Sequence, residues 1–340
     1  MDNPTRPWTM QQIADAAGVS VTTVSHALSG KRPVNPQTAA RIHRLIDQFQ
    51  YVPDAGARRL QSGRSRTIGL AVPDISHWYF GRIARGVEDA ANEADHGLVV
   101  TSTSNADPRR EARCFTMLTT RAIDGLVYAS SRSTAEIEQL ARAARTAPLV
   151  LSDENIDSLD VPSVSTTVYE GARDAVTLLK TLGHERIVAI AGYQGLPSTL
   201  ERTRALHEVF PGSLTFHGDF ELASGYRIAT ELLAADVRFT AIFAHNDYMA
   251  IGAMQRLQEA GWRVPEDVSI IGFDDTDSAT MVTPTLTTVR KDMVEVGRRS
   301  GLLLLEQLAG TPGSAQSSVL LPTELVVRGS TGPAPRAPRA

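Results

Sequence analysis

Short apolar runs alternate with amphipathic stretches through most of this chain, and the alternation limits the folds that it can adopt. Stretches such as Tyr79–Glu93 and Tyr169–Leu182 have the apolar spacing of half-buried helices. The runs between such stretches predict strands at Thr67–Val72, Leu98–Thr101, Gly125–Tyr128, Leu149–Leu151, Arg186–Ala191, Leu214–His217, Ala241–Ala244 and Val268–Phe273. This order predicts an α/β fold of two doubly wound subdomains, split near 162–166, whose parallel sheets are covered on both faces. Ligands of such folds bind in the cleft, at the carboxyl ends of the strands.

The first fifty residues have a different pattern, because three helix starts follow one another closely. Thr9, with a glutamine three residues later, forms a capping box, and Gly18 breaks the helix that follows. Ser20 is a suitable cap for a second helix, and Asn35 followed by proline predicts the start of a third. Two short helices joined by a tight turn, with a third closing the core, predict a helix-turn-helix unit.

The outer face of the second helix is unusual for a purely structural helix, because it has no lysine or glutamate to solvate it. The residues that this face offers are short and mostly hydroxylated: Val21, Thr22, Thr23, Ser25 and His26. A helix that lies in the major groove needs such compact donors and methyl groups to reach base edges. A small helical bundle with a Ser/Thr-rich surface is the alternative.

Charge is distributed unevenly along the 340 residues. Residues 1–66 have nine Lys/Arg and four acids, a net charge of +5, whereas the whole chain carries −4. A basic head on an acidic body is typical of a protein whose head contacts phosphates. The single cysteine, Cys114, excludes an intrachain disulfide. No apolar run is long enough for a membrane span and no secretory signal is evident, so we expect a cytoplasmic, nucleoid-associated protein.

These motifs carry a resemblance to a known family. The segments Ile13–Gly30, Val34–Thr38 and Tyr51–Ala55 resemble the DNA-reading region of the LacI/GalR (lactose/galactose repressor) family. Matches continue through the body at Val72–Ser76, Asp124–Leu126, Leu182–Arg186, His245–Ala250, Gly272–Asp275, Pro284–Thr288 and Leu321–Leu325. The resemblance implies a helix-turn-helix domain joined to a periplasmic-binding-protein-like core.

Domain boundaries follow from changes in the residue pattern along the sequence and from the resemblance. We expect a DNA-binding domain at 1–53, a hinge helix or linker at 54–65, an effector-binding core at 66–330 and a disordered tail at 331–340. Within the core we expect an N-terminal subdomain at about 66–164 and 291–322, and a C-terminal subdomain at about 165–290 and 323–330. The hinge segment is too short to be a stable helix alone, so something else must hold it.

The resemblance also assigns roles to residues. The predicted DNA contacts are Thr9, Ser20, Val21, Thr22, Thr23, Ser25, His26, Asn35, Arg58, Arg59 and Leu60. Leu60 matches the family's minor-groove wedge, which bends the duplex, and Arg58 and Arg59 would meet phosphates. His26 stands where the family mostly has a base-reading arginine, so a different base preference is expected there.

Polar and aromatic residues cluster at the predicted strand ends and form the candidate effector site. The resemblance implies that effector contacts fall on Asn246, Asp274 and Phe220, with Tyr79 and Phe80 on the other side. Together with the strand ends, it gives the predicted effector contacts Asp74, Tyr79, Phe80, Asp153, Phe220, Asn246 and Asp274. Carboxylates accept paired hydrogen bonds from hydroxyls, and an aromatic face covers the apolar side of a sugar ring. Leu200 stands where we expect the family's ligand-binding arginine, and Arg202 is the alternative.

The predicted function is therefore that of a homodimeric repressor that binds double-stranded operator DNA and senses a small molecule, most simply a sugar. A regulator that senses a purine and a solute-binding protein of sugar uptake are the alternatives. No nucleotide, metal or hydrolase motif is present, so we expect no catalytic residues, no cofactor and no metal. Asp274 and Asp275 could suggest a sugar-modifying enzyme, but neighbouring residues of one strand point in opposite directions.

Overall fold

A computed structural model describes residues 8–30, 32–51, 64–103, 107–129, 137–156, 159–235, 237–313 and 317–335. The chain divides between Ser65 and Arg66 into two compact units, and each unit is described by itself. The predicted hinge contacts Arg58, Arg59 and Leu60 lie outside the described residues. No helix within the described ranges is long and apolar enough to cross a membrane.

The first unit consists of three helices, which begin where the capping residues predict. They are α1 (Met10–Ala17), α2 (Val21–Ser29) and α3 (Pro36–Gln48). The capping box at Thr9 is confirmed, because its hydroxyl accepts the Gln12 N–H while the Gln12 side chain accepts the Thr9 N–H. Ser20 and Asn35 cap α2 and α3 through their side chains, as predicted. Gly18 ends α1 with a φ of 63°, a left-handed conformation that glycine adopts without strain.

A small core holds these three helices together. Six of its side chains are buried: Ile13, Ala14, Ala17, Val24, Ile42 and Tyr51. The rings of Trp8 and Phe49 stack with their centroids 3.6 Å apart and cover one edge of this core. Because the turn at Gly18 brings α1 and α2 together over α3, the unit has the helix-turn-helix arrangement.

The second unit begins with a six-stranded parallel sheet, which defines the N-terminal subdomain. Its strands are β1 (Thr67–Val72), β2 (Gly97–Ser102), β3 (Gly125–Ala129), β4 (Leu149–Asp153), β5 (Ser163–Thr166) and β11 (Ser318–Leu321), in the order β11-β5-β4-β3-β1-β2. The helices that belong to it are α4 (Trp78–Glu93), α5 (Pro108–Thr119), α6 (Ile137–Ala144) and α11 (Met293–Ala309). Helices α4 and α11 approach each other closely at Gly86 and Gly297. A Cβ on Gly86 would lie 1.9 Å from the Val294 carbonyl oxygen.

A four-stranded parallel sheet defines the C-terminal subdomain. Its strands are β6 (Ile187–Ala191), β7 (Leu214–His217), β8 (Ala241–Ala244) and β9 (Ser269–Ile271), in the order β7-β6-β8-β9. Its helices are α7 (Val168–Thr181), α8 (Pro197–Val209), α9 (Leu222–Ala234) and α10 (Asp247–Glu259). Both faces of this sheet are covered by apolar clusters, which is the expected environment of a buried parallel sheet.

The chain passes between the two subdomains three times. The passages lie between β5 and α7, after β10 (Thr288–Arg290), and between β11 and β12 (Glu324–Val326). Strands β10 and β12 pair in antiparallel register. The sequence did not predict β5, β10, β11 or β12. Strand β5 reads Ser-Val-Ser-Thr, with a single aliphatic residue, and it is buried because β4 and β11 flank it.

The segment after Ser330 differs from the expected disordered tail. The Gly332 N–H donates to the Ser269 hydroxyl at 3.0 Å, and the Ala334 N–H donates to the Leu182 carbonyl oxygen at 2.8 Å. The buried imidazole of His184 also contacts the Gly332 carbonyl oxygen at 3.1 Å. The expectation of disorder at 331–335, which rested on composition, is wrong because hydrogen bonds to the C-terminal subdomain hold this Pro/Ala-containing segment in place. Residues 336–340 lie outside the described ranges.

Candidate functional site

The two subdomains enclose a cavity at the carboxyl ends of their strands. The centres of water molecules can occupy about 90 Å³ of it. This is enough room for several waters or one small polar ligand. All of the predicted effector contacts line it: Asp74, Tyr79, Phe80, Asp153, Phe220, Asn246 and Asp274. Residues separated by two hundred positions therefore meet at one place, as the parallel-sheet topology predicts.

Aromatic rings form two walls of the cavity. On the N-terminal side, Tyr79 and Phe80 make an edge-to-face contact with ring centroids 5.2 Å apart. On the other side, Phe220 contacts Tyr193 at 5.7 Å. The Phe220 ring lies directly on Gly192, where a Cβ would be 1.9 Å from its Cζ atom, so only glycine allows this position. Aromatic rings from both subdomains that line one cavity favour a flat ligand or one with an apolar face.

A buried lysine lies behind the aromatic wall. The Lys291 ammonium, 1% exposed, donates to the Asp153 carboxylate at 2.6 Å and to the Tyr79 hydroxyl at 2.5 Å. The Tyr79 hydroxyl in turn donates to the second oxygen of Asp153. Burial and the nearby Asp153 charge raise the pKa of Tyr79 well above its ordinary value, so its proton stays in place. This triad holds Tyr79 and Asp153 in fixed positions at the edge of the cavity.

A second carboxylate connects the two subdomains. Glu154, just after β4, accepts the Ser198 N–H at 3.1 Å and the Ser198 Oγ–H at 2.5 Å, at the N-terminus of α8. Burial, and then the Asp153 charge, raises the pKa of Glu154 to about 7. The partial positive charge of a helix N-terminus attracts such a carboxylate. Glu154 therefore bridges the cleft.

Two charged groups that reach the cavity keep unused hydrogen-bonding atoms. One oxygen of Asp274 and the Nε of Arg202 are buried and make no hydrogen bond within the described ranges. The Arg202 guanidinium lies over the Phe273 ring at 4.1 Å. Burial raises the pKa of Asp274 to about 6, although the positive charges of Lys291 and Arg202 oppose the rise. A buried donor and a buried acceptor without partners are sites where a ligand can bind.

In the first unit, the predicted DNA-contacting face of α2 is accessible. Ser20 and Thr22 are exposed, and Val21, Thr23, Ser25 and His26 are partly exposed, while Val24 points into the core. Thr9 and Asn35 are exposed as well. Both serve as helix caps, so a structural role is already established for them.

Comparisons with known proteins agree with both halves of this description. Residues 9–54 match the family model "Bacterial regulatory proteins, lacI family", and residues 176–331 match "Periplasmic binding protein-like domain". The repressor CytR of Escherichia coli K12 is 34% identical over 333 residues, which cover 95% of this chain and 96% of that protein. The chain belongs to the LacI family. It is therefore a DNA-binding transcription regulator, and its relatives are regulators rather than enzymes.

Solved structures support the same conclusion. The Lac repressor dimer bound to operator and the anti-inducer ONPF matches with a TM-score of 0.88 and 26% identity, over 96% of this chain and all of that chain. The complex of the regulator CelR with cellobiose matches with a TM-score of 0.73 and 28% identity, over 96% of this chain. A ribose-bound LacI-family regulator from Enterococcus faecium is 30% identical over 78% of this chain and 99% of that chain, with a TM-score of 0.69.

The structure corrects one position of this LacI-family protein. We expected Leu200 at the place of the ligand-binding arginine, but Leu200 is 55% exposed, whereas Arg202 is 3% exposed and lines the cavity. Two positions along α8 turn a side chain by about 200°, so the two residues lie on opposite faces. The chain thus keeps an arginine in the cavity.

Several cavity residues were not predicted. They are Pro73, His77, Glu154, Tyr193, Leu196, Ser198, Asp219 and Glu221, together with Lys291 behind them. Glu154 follows Asp153 at the end of a predicted strand, so the strand-end argument could have included it. Lys291 follows a strand that the sequence did not reveal, and no local signal marked it.

Proposed function

We propose that this protein is a homodimeric repressor that binds operator DNA through the first unit and loses or gains operator affinity when a small effector occupies the cleft. The observation that carries the effector role is the buried, unpartnered pair of the Asp274 oxygen and the Arg202 Nε. Ligand groups that hydrogen-bond to these atoms remove the cost of leaving them unpaired.

For the effector we propose a hydroxylated ring, most simply a sugar. The walls formed by Tyr79–Phe80 and Tyr193–Phe220 suit the apolar face of such a ring, and the carboxylates accept its hydroxyl protons. Among structures of this fold, one holds cellobiose and another ribose. The same aromatic walls also suit a flat purine or nucleoside, which is the second candidate.

For DNA recognition we propose that α2 lies in the major groove and presents Val21, Thr22, Thr23, Ser25 and His26 to base edges. The exposure of this face supports the role. Replacing His26 by Arg should change the preferred base at one position of each half-site. Selection from random duplexes tests this, and an unchanged preferred sequence would argue against base reading by His26. The hinge contacts Arg58, Arg59 and Leu60 remain predictions from the sequence.

Coupling between the sites requires that the effector bind one arrangement of the subdomains better than the other. Groups that contact each other across the cleft, such as Glu154 with Ser198 and His77 with Tyr248, change their geometry when the subdomains rotate. Ligand binding between them would shift the population of core arrangements. The shift then alters the spacing at which two first units meet a palindromic operator.

An effector-response experiment tests this proposal. The operator is first selected from random duplexes, and compounds are then screened for a change in operator affinity. Asp274→Ala should abolish the response while leaving operator affinity in the absence of effector unchanged. Asp277→Ala, three residues further on and exposed, is the matched control and should respond normally. A full response from the Asp274 variant would place the effector site elsewhere.

A further inference from the structure

The charge of the cavity restricts the class of effector beyond the proposed function, on which this inference rests. Six carboxylates line it: Asp74, Asp153, Glu154, Asp219, Glu221 and Asp274. Arg202 is the one lysine or arginine among the described lining residues, and Lys291 adds a second cation behind the wall. With every group ionised, six negative and two positive groups leave a formal charge of −4, and with Glu154 and Asp274 protonated the balance is still −2. This is an unfavourable environment for a further negative charge.

We propose that the effector is an uncharged hydroxylated ring, such as a free sugar or nucleoside, and that the cavity rejects its phosphate esters. A phosphate needs several unoccupied donors. The Lys291 ammonium, the Ser198 N–H and the Asn246 side-chain amide are engaged within the protein, and the Arg202 Nε and the His77 imidazole are the buried lining groups with unused nitrogen atoms among the described residues. The Lys291 ammonium already donates to Asp153 and Tyr79. Arg202 is left to neutralise a dianion against the surrounding carboxylates.

Helix N-termini are the second usual source of anion binding, and the ones that border this cavity have acids of the protein itself beside them. The N-terminus of α8 donates the Ser198 N–H to Glu154. Glu221 is the N-cap residue of α9, and Asp219 accepts the Glu221 N–H at 3.0 Å. In the turn that leads into α4, the Asp74 carboxylate accepts the Ser76 N–H at 2.8 Å. A phosphate at any of these helix ends would displace or face a carboxylate.

The raised pKa values of the buried acids also favour an uncharged ligand. Burial raises the pKa of Glu154 to about 7 and that of Asp274 to about 6, in spite of the two nearby cations. These shifts mean that the cavity already disfavours its own negative charges. An uncharged ligand avoids the additional repulsion, and it still satisfies the free Asp274 oxygen and the Arg202 Nε.

The first test uses matched pairs and the full-length protein. Heat unfolding and operator release are followed with ribose and ribose 5-phosphate, glucose and glucose 6-phosphate, cytidine and cytidine monophosphate, and adenosine and adenosine monophosphate. We expect the neutral member of an active pair to bind at least about tenfold more tightly than its ester. An ester that binds as tightly as its parent overturns the charge preference while leaving the effector role intact.

The second test uses inorganic phosphate and needs no knowledge of the effector. Phosphate, against chloride at equal ionic strength, should leave the melting temperature of the wild-type core unchanged and raise that of Glu154→Gln/Glu221→Gln. The variant Asp174→Asn/Glu306→Gln, with the same change of net charge at exposed positions away from the cavity, should behave as wild type. Asp219→Asn/Glu221→Gln, at two exposed residues, provides a second measurement if Glu154→Gln folds poorly.

Two results of the phosphate titration would overturn the proposal. Stabilisation of the wild type that disappears in Arg202→Leu would mean that the cavity accepts anions as it stands. No stabilisation of either carboxylate variant would mean that these acids are not what excludes phosphate. If every neutral compound and ester fails to bind, the effector role itself loses support, while the phosphate titration still decides the charge preference.

Discussion

Different interactions hold the first unit together and order the cleft of the second unit. In the first unit, capping residues act within four positions of their partners, and a core of few side chains holds three short helices. In the cleft, charged and polar side chains from distant elements are buried together, and several of them hydrogen-bond to one another. Substitutions in the first unit therefore act through lost packing and capping, whereas those in the cleft act through charges left without a partner.

The largest effect is expected from separating the buried ion pair. Asp153→Ala leaves the Lys291 ammonium buried without a carboxylate, and we expect the core to lose about 3 to 5 kcal/mol of unfolding free energy. Denaturant unfolding of the core measures this loss. The double variant Asp153→Ala/Lys291→Met should recover most of the stability, because it removes both charges.

A surface ion pair provides the control for that experiment. Arg227 and Glu231 are about half exposed and pair at 2.6 Å across one turn of α9. Arg227→Ala should cost no more than about 0.5 kcal/mol. If Asp153→Ala costs as little as Arg227→Ala, Asp153 and Lys291 do not form a buried ion pair whose separation is costly.

Matched core substitutions sharpen the comparison between the units. Ile42 in the first unit and Ile270 in the second are both fully buried, and replacing either by Ala should cost about 2 to 5 kcal/mol. In the first unit such a loss is a large part of the stability of so small a core. Ile42→Ala should therefore abolish operator binding while the melting of the second unit is unchanged.

Ile270→Ala should destabilise the second unit and leave the first unit unchanged. Calorimetry should show a lower melting temperature for the second unit, and the heat signal of the first unit should be unaffected. If Ile42→Ala also lowers the melting temperature of the second unit, the two units do not unfold independently. That result would remove the basis for treating them separately.

The pH dependence of stability tests the burial of Glu154 beside Asp153. Its pKa rises from an ordinary 4.5 to about 7 in the folded protein, so the folded state holds a proton that the unfolded state releases. The contribution of this group to stability is therefore largest below pH 4.5 and is lost as the pH rises through 7.

Glu154→Gln removes this titration. The stability of the variant relative to wild type should increase by about 1 to 3 kcal/mol between pH 4.5 and 7. Denaturant unfolding at a series of pH values measures the difference. A difference that does not change with pH would show that Glu154 has the same pKa in the folded and unfolded states.

The smallest effect is expected at a helix cap. Ser20→Ala removes the acceptor for the Thr23 N–H, which lies 3.1 Å from Oγ, and should cost about 1 kcal/mol. Ser20→Asp keeps a capping oxygen and should preserve stability, but its charge should weaken operator binding if this end of α2 faces phosphates. Equal operator affinity for wild type and Ser20→Asp would argue against that orientation.

The sequence by itself determined the helix-turn-helix unit and the parallel α/β architecture of the core. Caps at Thr9, Ser20 and Asn35 were predictable because a cap and its partner lie within three residues of each other. Strand ends and the family resemblance together pointed to seven residues that line one cavity, since parallel strands bring their carboxyl ends to one edge. Their role as effector contacts stays a prediction. Tertiary structure alone decided which further charges complete the cleft.

Lys291 contacts Asp153, which is 138 residues away in the sequence, and Tyr79, which is 212 residues away. No local sequence pattern encodes such contacts. Likewise, the orientation of α8, rather than the spacing of its residues, places Arg202 in the cavity and Leu200 on the surface. Short-range hydrogen bonds and periodic burial can be read from neighbouring residues, because their partners are fixed by the backbone of one element. The pairing of buried charges depends on how separate elements pack, so only the folded chain decides it.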